Sequence, residues 1–342
     1  MQAVLMRGIL ALLAALALPA CATTGRLSAS DQRQLSGRTF VVLGASSGFG
    51  RGAAVKLGQS GANVVVAARR AELLEEVAAE IRRGGGQALV VPTDASRPEQ
   101  VEALADAATR RFGRIDVWMN IAGGLAVGRF WEIPVADYSR LIDTNVKGVV
   151  HGTHAALRRF VPQGHGTIVN MGSVESEVPL AYHSVYAGTK AAVLSMGRSL
   201  NQELRHAGVG RRVKVATVMP YAVDTPLWHH AANYSGRTLR MVMIDDPSVV
   251  VNTLVRASLR PREEMPAGWK ARGALIAHDL LPDLVERISA DVQRSELAEG
   301  LPEPATAGNL YQPMRGTGTV SGGVRERIKA EDAAKKRMQG PR

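Results

Sequence analysis

The feature that most constrains the fold is a short apolar run that leads into a glycine-rich turn and then a helix-forming stretch. Thr39-Phe-Val-Val-Leu43 has the β-branched and apolar residues of a buried parallel strand. It is followed by Gly44-Ala-Ser-Ser-Gly48-Phe-Gly50, and residues 51–59 favour a helix. Glycines allow a close backbone approach, and the free N–H groups and dipole of a helix N-terminus attract anions. The stretch therefore predicts a pyrophosphate site; a structural turn without a ligand is the alternative.

Further apolar runs alternate with helix-forming stretches along the chain. The predicted strands after the first cover residues 63–67, 88–91, 115–119, 166–170 and 213–219. Such alternation implies right-handed crossovers and a parallel sheet. The predicted fold class is α/β: a single doubly wound Rossmann-type domain with a central parallel sheet, plus a C-terminal helical extension. The predicted segments are 1–27 (signal or anchor), 36–260 (cofactor-binding catalytic domain), 261–300 (helical extension) and 301–342 (mostly irregular basic tail).

Polar residues stand where the predicted strands end, and ligands collect at that edge of a doubly wound sheet. Arg69 follows the second strand, where an arginine suits the 2′-phosphate of NADP and an acidic residue would suit NAD; an arginine that merely begins the next helix is the alternative. Asp94 follows the third strand and either accepts a hydrogen bond from the adenine amine or caps the helix near Pro98. Asn120 follows the fourth strand beside a flexible Gly123-Gly124 backbone.

Tyr186 and Lys190 are four residues apart, so on a helix both side chains project from one face. A phenol ionises near pH ~10 in water, and a neighbouring ammonium stabilises the phenolate. The pair thus suits proton transfer, although a surface pair formed by chance has the same spacing. Ser173 ends a strand thirteen positions earlier, and the intervening loop can bring the two hydroxyls together.

Two more polar residues fit the same site. Asn145 lies within a predicted helix, an unfavourable position unless its amide has a role, catalytic or structural. Thr225 follows the last predicted strand in Pro220-Tyr-Ala-Val-Asp-Thr225, where its hydroxyl can bond a carboxamide.

Together these motifs resemble those of the short-chain dehydrogenase/reductases: a glycine loop, an Asn-x-Ala-Gly box, an Asn-Ser-Tyr-Lys tetrad and a Pro-x-x-x-x-Thr segment, in the family's order over residues 36–260. The resemblance implies hydride transfer between NADP(H), with NAD less favoured, and a small-molecule alcohol or carbonyl substrate. It also implies a homo-oligomer.

The resemblance assigns roles to individual residues. Tyr186 would be the general acid/base, and Lys190 would lower its pKa and bind the nicotinamide ribose. Ser173 would orient the substrate oxygen, and Asn145 would hold the water of a proton relay. The residues that would surround the pyrophosphate and ribose are Gly44, Ser46, Ser47, Gly48, Phe49 and Gly50.

The chain departs from the family pattern at four places. Leu43, Ile121 and Gly172 replace residues that mainly make scaffolding bonds. Tyr221 replaces a common glycine beside the expected nicotinamide pocket, so we expect it to reshape the substrate site.

The composition of the chain limits the classes of binding partner that can be expected. The net charge of +11 and the pI near 10.2 suggest nucleic acid, but the basic residues are scattered and no zinc spacing, basic heptad or aromatic-interleaved basic strand accompanies them. Nucleic-acid binding is therefore not predicted. The single cysteine excludes an internal disulfide and a cysteine-based metal site.

The N-terminus has the form of a secretory signal. Arg7 precedes an apolar run over residues 9–18, which leads into Leu18-Pro-Ala-Cys21. This resembles the lipobox of bacterial lipoproteins, so membrane association through Cys21 or the apolar segment is the expectation. An upstream start artefact, or an uncleaved anchor that leaves the domain in the cytoplasm, is the alternative.

The remaining chain is less informative. Residues 224–240 carry Trp228, His229, His230 and Tyr234 and are expected to form a pocket wall or lid, with no metal site. Pro282 is expected to divide residues 269–292 into two helices, and the tail beyond residue 300 is expected to be solvent-exposed. A second hypothesis for the whole chain is a non-turnover NADP-binding scaffold or sensor tethered to a membrane.

Overall fold

A computed structural model describes residues 27–314, 316 and 318–339. The predicted signal or anchor segment, with Cys21, lies outside the described residues except for Leu27. Within the described part, no helix is both long enough and apolar enough to cross a membrane.

Most strands of the described chain build one large parallel sheet. They are β1 (Thr39–Leu43), β2 (Asn63–Ala68), β3 (Gln87–Pro92), β4 (Val117–Asn120), β5 (Ala126–Val127), β6 (Gly166–Met171), β7 (Val213–Pro220), β8 (Ala232–Asn233) and β9 (Glu264–Ala267). Among the described residues, seven of them pair in the order β3-β2-β1-β4-β6-β7-β9, each neighbour parallel to the next. The short strands β5 and β8 form a separate parallel pair.

Helices cover both faces of this sheet. They are α1 (Ala29–Leu35), α2 (Gly48–Gly58), α3 (Ala71–Arg83), α4 (Pro98–Phe112), α5 (Val135–Ile142), α6 (Gly148–Gln163), α7 (Ser184–His206), α8 (Leu227–His230), α9 (Pro247–Leu259), α10 (Gly268–Leu280), α11 (Pro282–Glu299) and α12 (Val324–Gln339). A π-helical turn (Asp143–Lys147) joins α5 to α6, and a 3₁₀ turn (Val174–Ser176) follows β6.

The central strands are apolar on both faces, which is why both faces are covered. Phe40 and Val42 of β1 belong to one core cluster with α2, α3 and α9. Val41 and Leu43 belong to another cluster with α4 and α6. Continuous burial of this kind is typical of parallel strands between two helical layers. The α/β prediction, with a doubly wound parallel sheet and C-terminal helices, is therefore confirmed.

The strand order places a crevice at the carboxyl end of β1. This strand lies between β2 and β4, so the chain proceeds outwards in opposite directions on its two sides. Doubly wound sheets bind ligands at such a switch point. Gly44 stands there with φ +106°, and a Cβ on it would lie 2.4 Å from Ala122 N, so only glycine fits.

The sheet continues past the predicted domain boundary. β9 pairs with β7, so the last strand lies beyond residue 260; its short sequence, Glu264-Met-Pro-Ala267, lacks the β-branched run of the other strands. Pro282 does separate two helices, as expected, because it occupies the first turn of α11.

The expectation of an irregular, solvent-exposed tail holds only in part, because many of its described residues are exposed but the segment also makes buried contacts and ends in a helix. Residues 301–314, 316 and 318–323 have largely irregular backbone, but Leu310 is buried in an apolar cluster with Tyr138 and Leu141. The chain then forms α12, which Arg240 joins through ion pairs to Glu331 and Asp332 at 2.8 and 2.7 Å. Composition alone suggested exposure, whereas these long-range contacts hold the segment in place.

Candidate active site

The glycine turn forms one wall of a cleft at the switch point. Gly44 N and Ala45 N both donate to Ala67 O, which fixes the turn against β2. A Cβ at Gly50 would lie 2.0 Å from Gly44 O, so this glycine lets α2 start directly against the turn. A glycine turn with closely approaching backbone at the start of a helix fits a cofactor pyrophosphate.

Most of the predicted cofactor-binding residues line this one cleft. They are Gly44, Ser46, Ser47, Gly48, Phe49, Arg69, Asp94 and Thr225. The cleft is also lined by Ile121, Gly123 and His230, and by four residues of the C-terminal segment, Asn309, Leu310, Pro313 and Met314. Sequence patterns gave no indication that the C-terminal segment would return here.

The two arginines after β2 have different partners. Arg69 donates from Nη2 to Asn309 O at 2.7 Å and from Nη1 to Leu310 O at 3.4 Å, so its guanidinium faces the C-terminal segment. Arg70 donates from Nη2 to Ser46 Oγ and Ser47 Oγ, each at 3.0 Å. The arginine that lies on the phosphate-binding turn is therefore Arg70, which the sequence favoured less than Arg69.

Asp94 lines the cleft, and its carboxylate is already hydrogen-bonded to other protein groups. Its carboxylate accepts from Ser96 Oγ at 2.7 Å and from Arg140 Nη2 at 2.9 Å. Burial would raise the pKa of Asp94, but these hydrogen bonds outweigh it and lower the pKa below its usual value. It does not cap α4, because the cap position is Arg97 and its side chain makes no capping bond.

Asn120 does not face the cofactor cleft, contrary to prediction. Its Oδ1 accepts from Trp118 Nε1 at 2.7 Å, and its Nδ2 donates to Thr153 Oγ1 and Asn170 Oδ1. The side chain is 2% exposed. Asn120 therefore joins β4 to β6 and α6 in a buried polar network, which sequence could not reveal because its partners are up to fifty residues away.

The side chain of Asn145 makes hydrogen bonds that connect separate parts of the fold. It is fully buried in the π-helical turn, where Oδ1 accepts from Gly124 N at 2.8 Å and Nδ2 donates to Gly124 O and Thr189 Oγ1. Both amide hydrogens are used in this way. The side chain thus joins the Gly124 loop to α7, and the relay role that the resemblance implies for Asn145 stays a prediction.

Ser173, Tyr186 and Lys190 come together where β6 ends. Ser173 lies close enough to the phenol of Tyr186 to lower its pKa, and Tyr186 lies in the first turn of α7. Lys190 Nζ lies 5.6 Å from the centre of the Tyr186 ring and donates to Met171 O at 2.8 Å. A Cβ on Gly123, which lines the cleft, would lie 3.7 Å from Lys190 Nζ. Lys190 therefore lies next to the part of the cleft wall that Gly123 forms.

The charges around Tyr186 differ from the expectation. Burial, and then the Glu175 carboxylate, raise the pKa of Tyr186 above its usual value, and only the bond with Ser173 acts against them. Burial lowers the pKa of Lys190 to about 8, with Glu175 opposing the shift. Lys190 is not among the groups that shift the pKa of Tyr186 in this arrangement, so the predicted lowering by Lys190 is not found.

Glu175 and His183 form a pair beside the trio that sequence reasoning missed. Glu175 N donates to Ser173 Oγ at 3.1 Å, and its carboxylate lies 3.1 Å from Nδ1 of His183. His183 is 3% exposed, and its ring lies edge-on to that of Tyr186 with centres 6.3 Å apart. The available indication was a charged residue two positions after Ser173.

The segment expected to form a wall or lid does border the site. His230 lines the cleft, and burial, followed by the charges of Arg70, His229 and Arg69, lowers its pKa to about 4. Tyr221 is partly buried against Val174 and Val178, next to the turn that carries Glu175. Among the described residues, no group of three or more His, Cys, Asp or Glu side chains is arranged to hold a metal ion.

Comparison with known proteins gives a consistent result. The family model described as short chain dehydrogenase matches residues 38–234. The uncharacterized oxidoreductase YxnA of Bacillus subtilis is 31% identical over 311 residues, covering 89% of this chain and 87% of the relative. An uncharacterized oxidoreductase of Staphylococcus haemolyticus is 30% identical over 228 residues, covering 67% of this chain and 94% of the relative.

Solved structures agree with these relatives. A short chain dehydrogenase/reductase from Burkholderia phymatum in complex with NAD superposes with a TM-score of 0.65 at 25% identity, covering 80% of this chain and 99% of that one. A short-chain dehydrogenase from Sphingobium yanoikuyae in complex with NADPH gives 0.62 at 27% identity, covering 73% of this chain and 95% of that one. The two relatives thus hold different nicotinamide cofactors.

Proposed function

Because the chain belongs to the short-chain dehydrogenase/reductase family of oxidoreductases, we propose that it transfers hydride between NADP(H) and an alcohol or carbonyl substrate, with Tyr186 as general acid/base. The observation that carries this proposal is the meeting of Ser173, Tyr186 and Lys190 where β6 ends, next to a cleft whose glycine turn fits a pyrophosphate. A bound nicotinamide supplies the hydride in reduction and accepts it in oxidation.

The protein's own groups handle the substrate oxygen and the proton. In reduction, Ser173 donates a hydrogen bond to the carbonyl oxygen and Tyr186 gives that oxygen its proton. Since burial and Glu175 raise the pKa of Tyr186, the phenol stays protonated at neutral pH. The protonated phenol is the form that donates the proton in reduction, and oxidation of an alcohol runs the same step in reverse.

The preference for NADP(H) is proposed from the arginines after β2. Arg70 lies 3.0 Å from the hydroxyls of Ser46 and Ser47 on the phosphate-binding turn, where it adds positive charge. A guanidinium binds a phosphate through paired, charge-assisted hydrogen bonds that a ribose hydroxyl cannot match. No carboxylate stands at the end of β2 in Ala68-Arg69-Arg70 to favour NAD.

Membrane attachment and self-association stay proposals drawn from the sequence. The lipobox-like Leu18-Pro-Ala-Cys21 supports lipidation at Cys21. Mass spectrometry of the mature N-terminus tests it: a lipidated Cys21 is expected, and an intact Met1 would refute export. Size-exclusion chromatography with light scattering tests the proposed homo-oligomer.

The enzyme proposal is tested by following NADPH loss by absorbance with the full-length protein and a panel of ketones, aldehydes, quinones and steroids. Tyr186→Phe should abolish turnover and leave NADPH binding intact. Tyr138→Phe is the matched control, because it removes a hydroxyl that donates to Phe130 O. Turnover that survives Tyr186→Phe would refute the assigned role. NADPH binding without reduction of any compound would favour the scaffold hypothesis.

A further inference from the structure

Residues 309–314, 316 and 318–322, here called the strap, extend from the arginines after β2 to the glycine turn. Asn309, Leu310, Pro313 and Met314 line the same cavity as the glycine turn, so the strap forms its outer wall. Leu310 is 3% exposed and packs in an apolar cluster that Tyr186 also contacts. The strap is thus a wall of the cofactor site, although it lies more than two hundred residues from the glycine turn in sequence.

Two arginines donate hydrogen bonds to the backbone at one end of the strap. Arg69 donates to the carbonyl oxygens of Asn309, Leu310 and Tyr311 at 2.7, 3.4 and 3.4 Å. Arg140 donates from Nε to Leu310 O at 2.9 Å, while its other nitrogens hold Ser96 and Asp94. Hydrogen bonds from a charged donor are stronger than neutral ones, so these carbonyls are held firmly.

The other end lies on the glycine turn itself. Thr319 O accepts from Gly48 N, the first N–H of α2, at 2.9 Å. A Cβ on Gly318 would lie 3.0 Å from Ser46 O, so the strap passes close to the turn. Since the first N–H groups of α2 are the ones that suit a pyrophosphate, the strap covers the place where that group would lie.

A buried carboxylate fixes the strap's far end. Asp224 is fully buried and accepts from Ser321 Oγ at 3.1 Å, Gly322 N at 3.1 Å and Val324 N at 2.8 Å. It directly precedes Thr225, which lines the cleft. The anchor therefore holds the strap without belonging to the cleft lining itself.

We propose that the strap is a roof over the cofactor, which enters and leaves only when the strap lifts from Arg69 and from the glycine turn. This inference rests on the proposed binding of a nicotinamide cofactor. The cavity shared by the strap and the glycine turn leaves room for a ligand beneath the roof. A roof of this kind slows association and dissociation together, whereas a mere contact surface slows dissociation alone.

The test is stopped-flow measurement of NADPH association and dissociation by nucleotide fluorescence, using the full-length protein. Asp224→Asn weakens the anchor without changing the cleft lining, and Leu310→Ala removes the buried apolar contact at the other end. Each should raise both the association and the dissociation rate constant by about tenfold, the factor expected for losing one strong contact. Leu301→Ala is the matched control, because Leu301 is 47% exposed and lies outside the strap.

The outcomes separate the two proposals. Failure of the wild-type protein to bind NADPH or NADH would refute the proposed function and the roof with it. Binding with an unchanged association rate constant in both Asp224→Asn and Leu310→Ala would refute the roof alone. Thermal melting, together with NADPH binding at equilibrium, identifies a variant that has merely failed to fold, and the other variant then decides the question.

Discussion

Removing the charge of Glu175 should make Tyr186 a better base. The Glu175 carboxylate raises the pKa of Tyr186, so Glu175→Gln should lower it while keeping an oxygen acceptor for His183. Two unit charges about 6 Å apart interact by about 3 kcal/mol at an effective dielectric constant of about 20. Partial exposure of Glu175 reduces this, so we expect a shift of about one pKa unit.

The consequence is measurable in the oxidation direction. Alcohol oxidation needs the phenolate, whose fraction rises as pH approaches the pKa of Tyr186 from below. A pKa lower by about one unit makes the ionised fraction about tenfold larger at any pH well below both values. The hydride-transfer rate for alcohol oxidation by Glu175→Gln should therefore exceed that of the wild type, and its pH profile should move towards lower pH.

The assay is single-turnover oxidation with NADP⁺ as a function of pH, at and below neutrality. Lys190, with its pKa of about 8, is still mainly protonated there in the wild type. Glu177→Gln is the matched control, because Glu177 is paired with Arg198 and no effect of it on Tyr186 is expected. An unchanged profile for Glu175→Gln, or one moved to higher pH, would refute this electrostatic account.

Further predictions concern packing and cofactor choice. Gly152→Ala should lower the free energy of unfolding by about 2–3 kcal/mol, because the new Cβ would lie 2.0 Å from Asn120 Oδ1 in the buried network. Gly188→Ala, on an exposed face of α7 with nothing within 4 Å, should instead raise it by about 0.5–1 kcal/mol, and thermal melting compares the two. Arg70→Ala should reduce the ratio of NADPH to NADH affinity by about tenfold, and by more than Arg69→Ala does, as measured by fluorescence titration. A larger effect of Arg69→Ala on that ratio would contradict the assignment of Arg70 to the phosphate.

The sequence predicted the elements whose causes are local. The apolar runs of β1, β2 and β7 are continuous, and Pro282 fixes the start of α11, so strands and helices fall close to their predicted positions. The spacing of Tyr186 and Lys190 places both on one helix, α7, and near each other. These features depend on a few neighbouring residues, so they can be predicted from the amino-acid sequence.

The features that sequence missed depend on contacts between distant residues. Asn120 bonds to Asn170, and Arg69 bonds to Asn309, 240 residues away. A strand-end polar residue looks the same in sequence whether it faces a ligand or a neighbouring helix. The tail was predicted to be exposed because its composition is polar and rich in glycine. In the structure, glycine is needed at positions 318 and 322 because a Cβ there would come too close to the backbone of Ser46 and Thr225.

The central claim is that hydride passes between cofactor and substrate while Tyr186 handles the proton. The most direct measurement uses NADPH deuterated at the transferring position of the nicotinamide, with a carbonyl compound that the wild-type enzyme reduces, and mass spectrometry of the product. We predict one deuterium on the carbinol carbon with the wild type, and no product with Tyr186→Phe although it still binds the cofactor. Product without deuterium, or Tyr186→Phe forming labelled product at the wild-type rate, would contradict the claim.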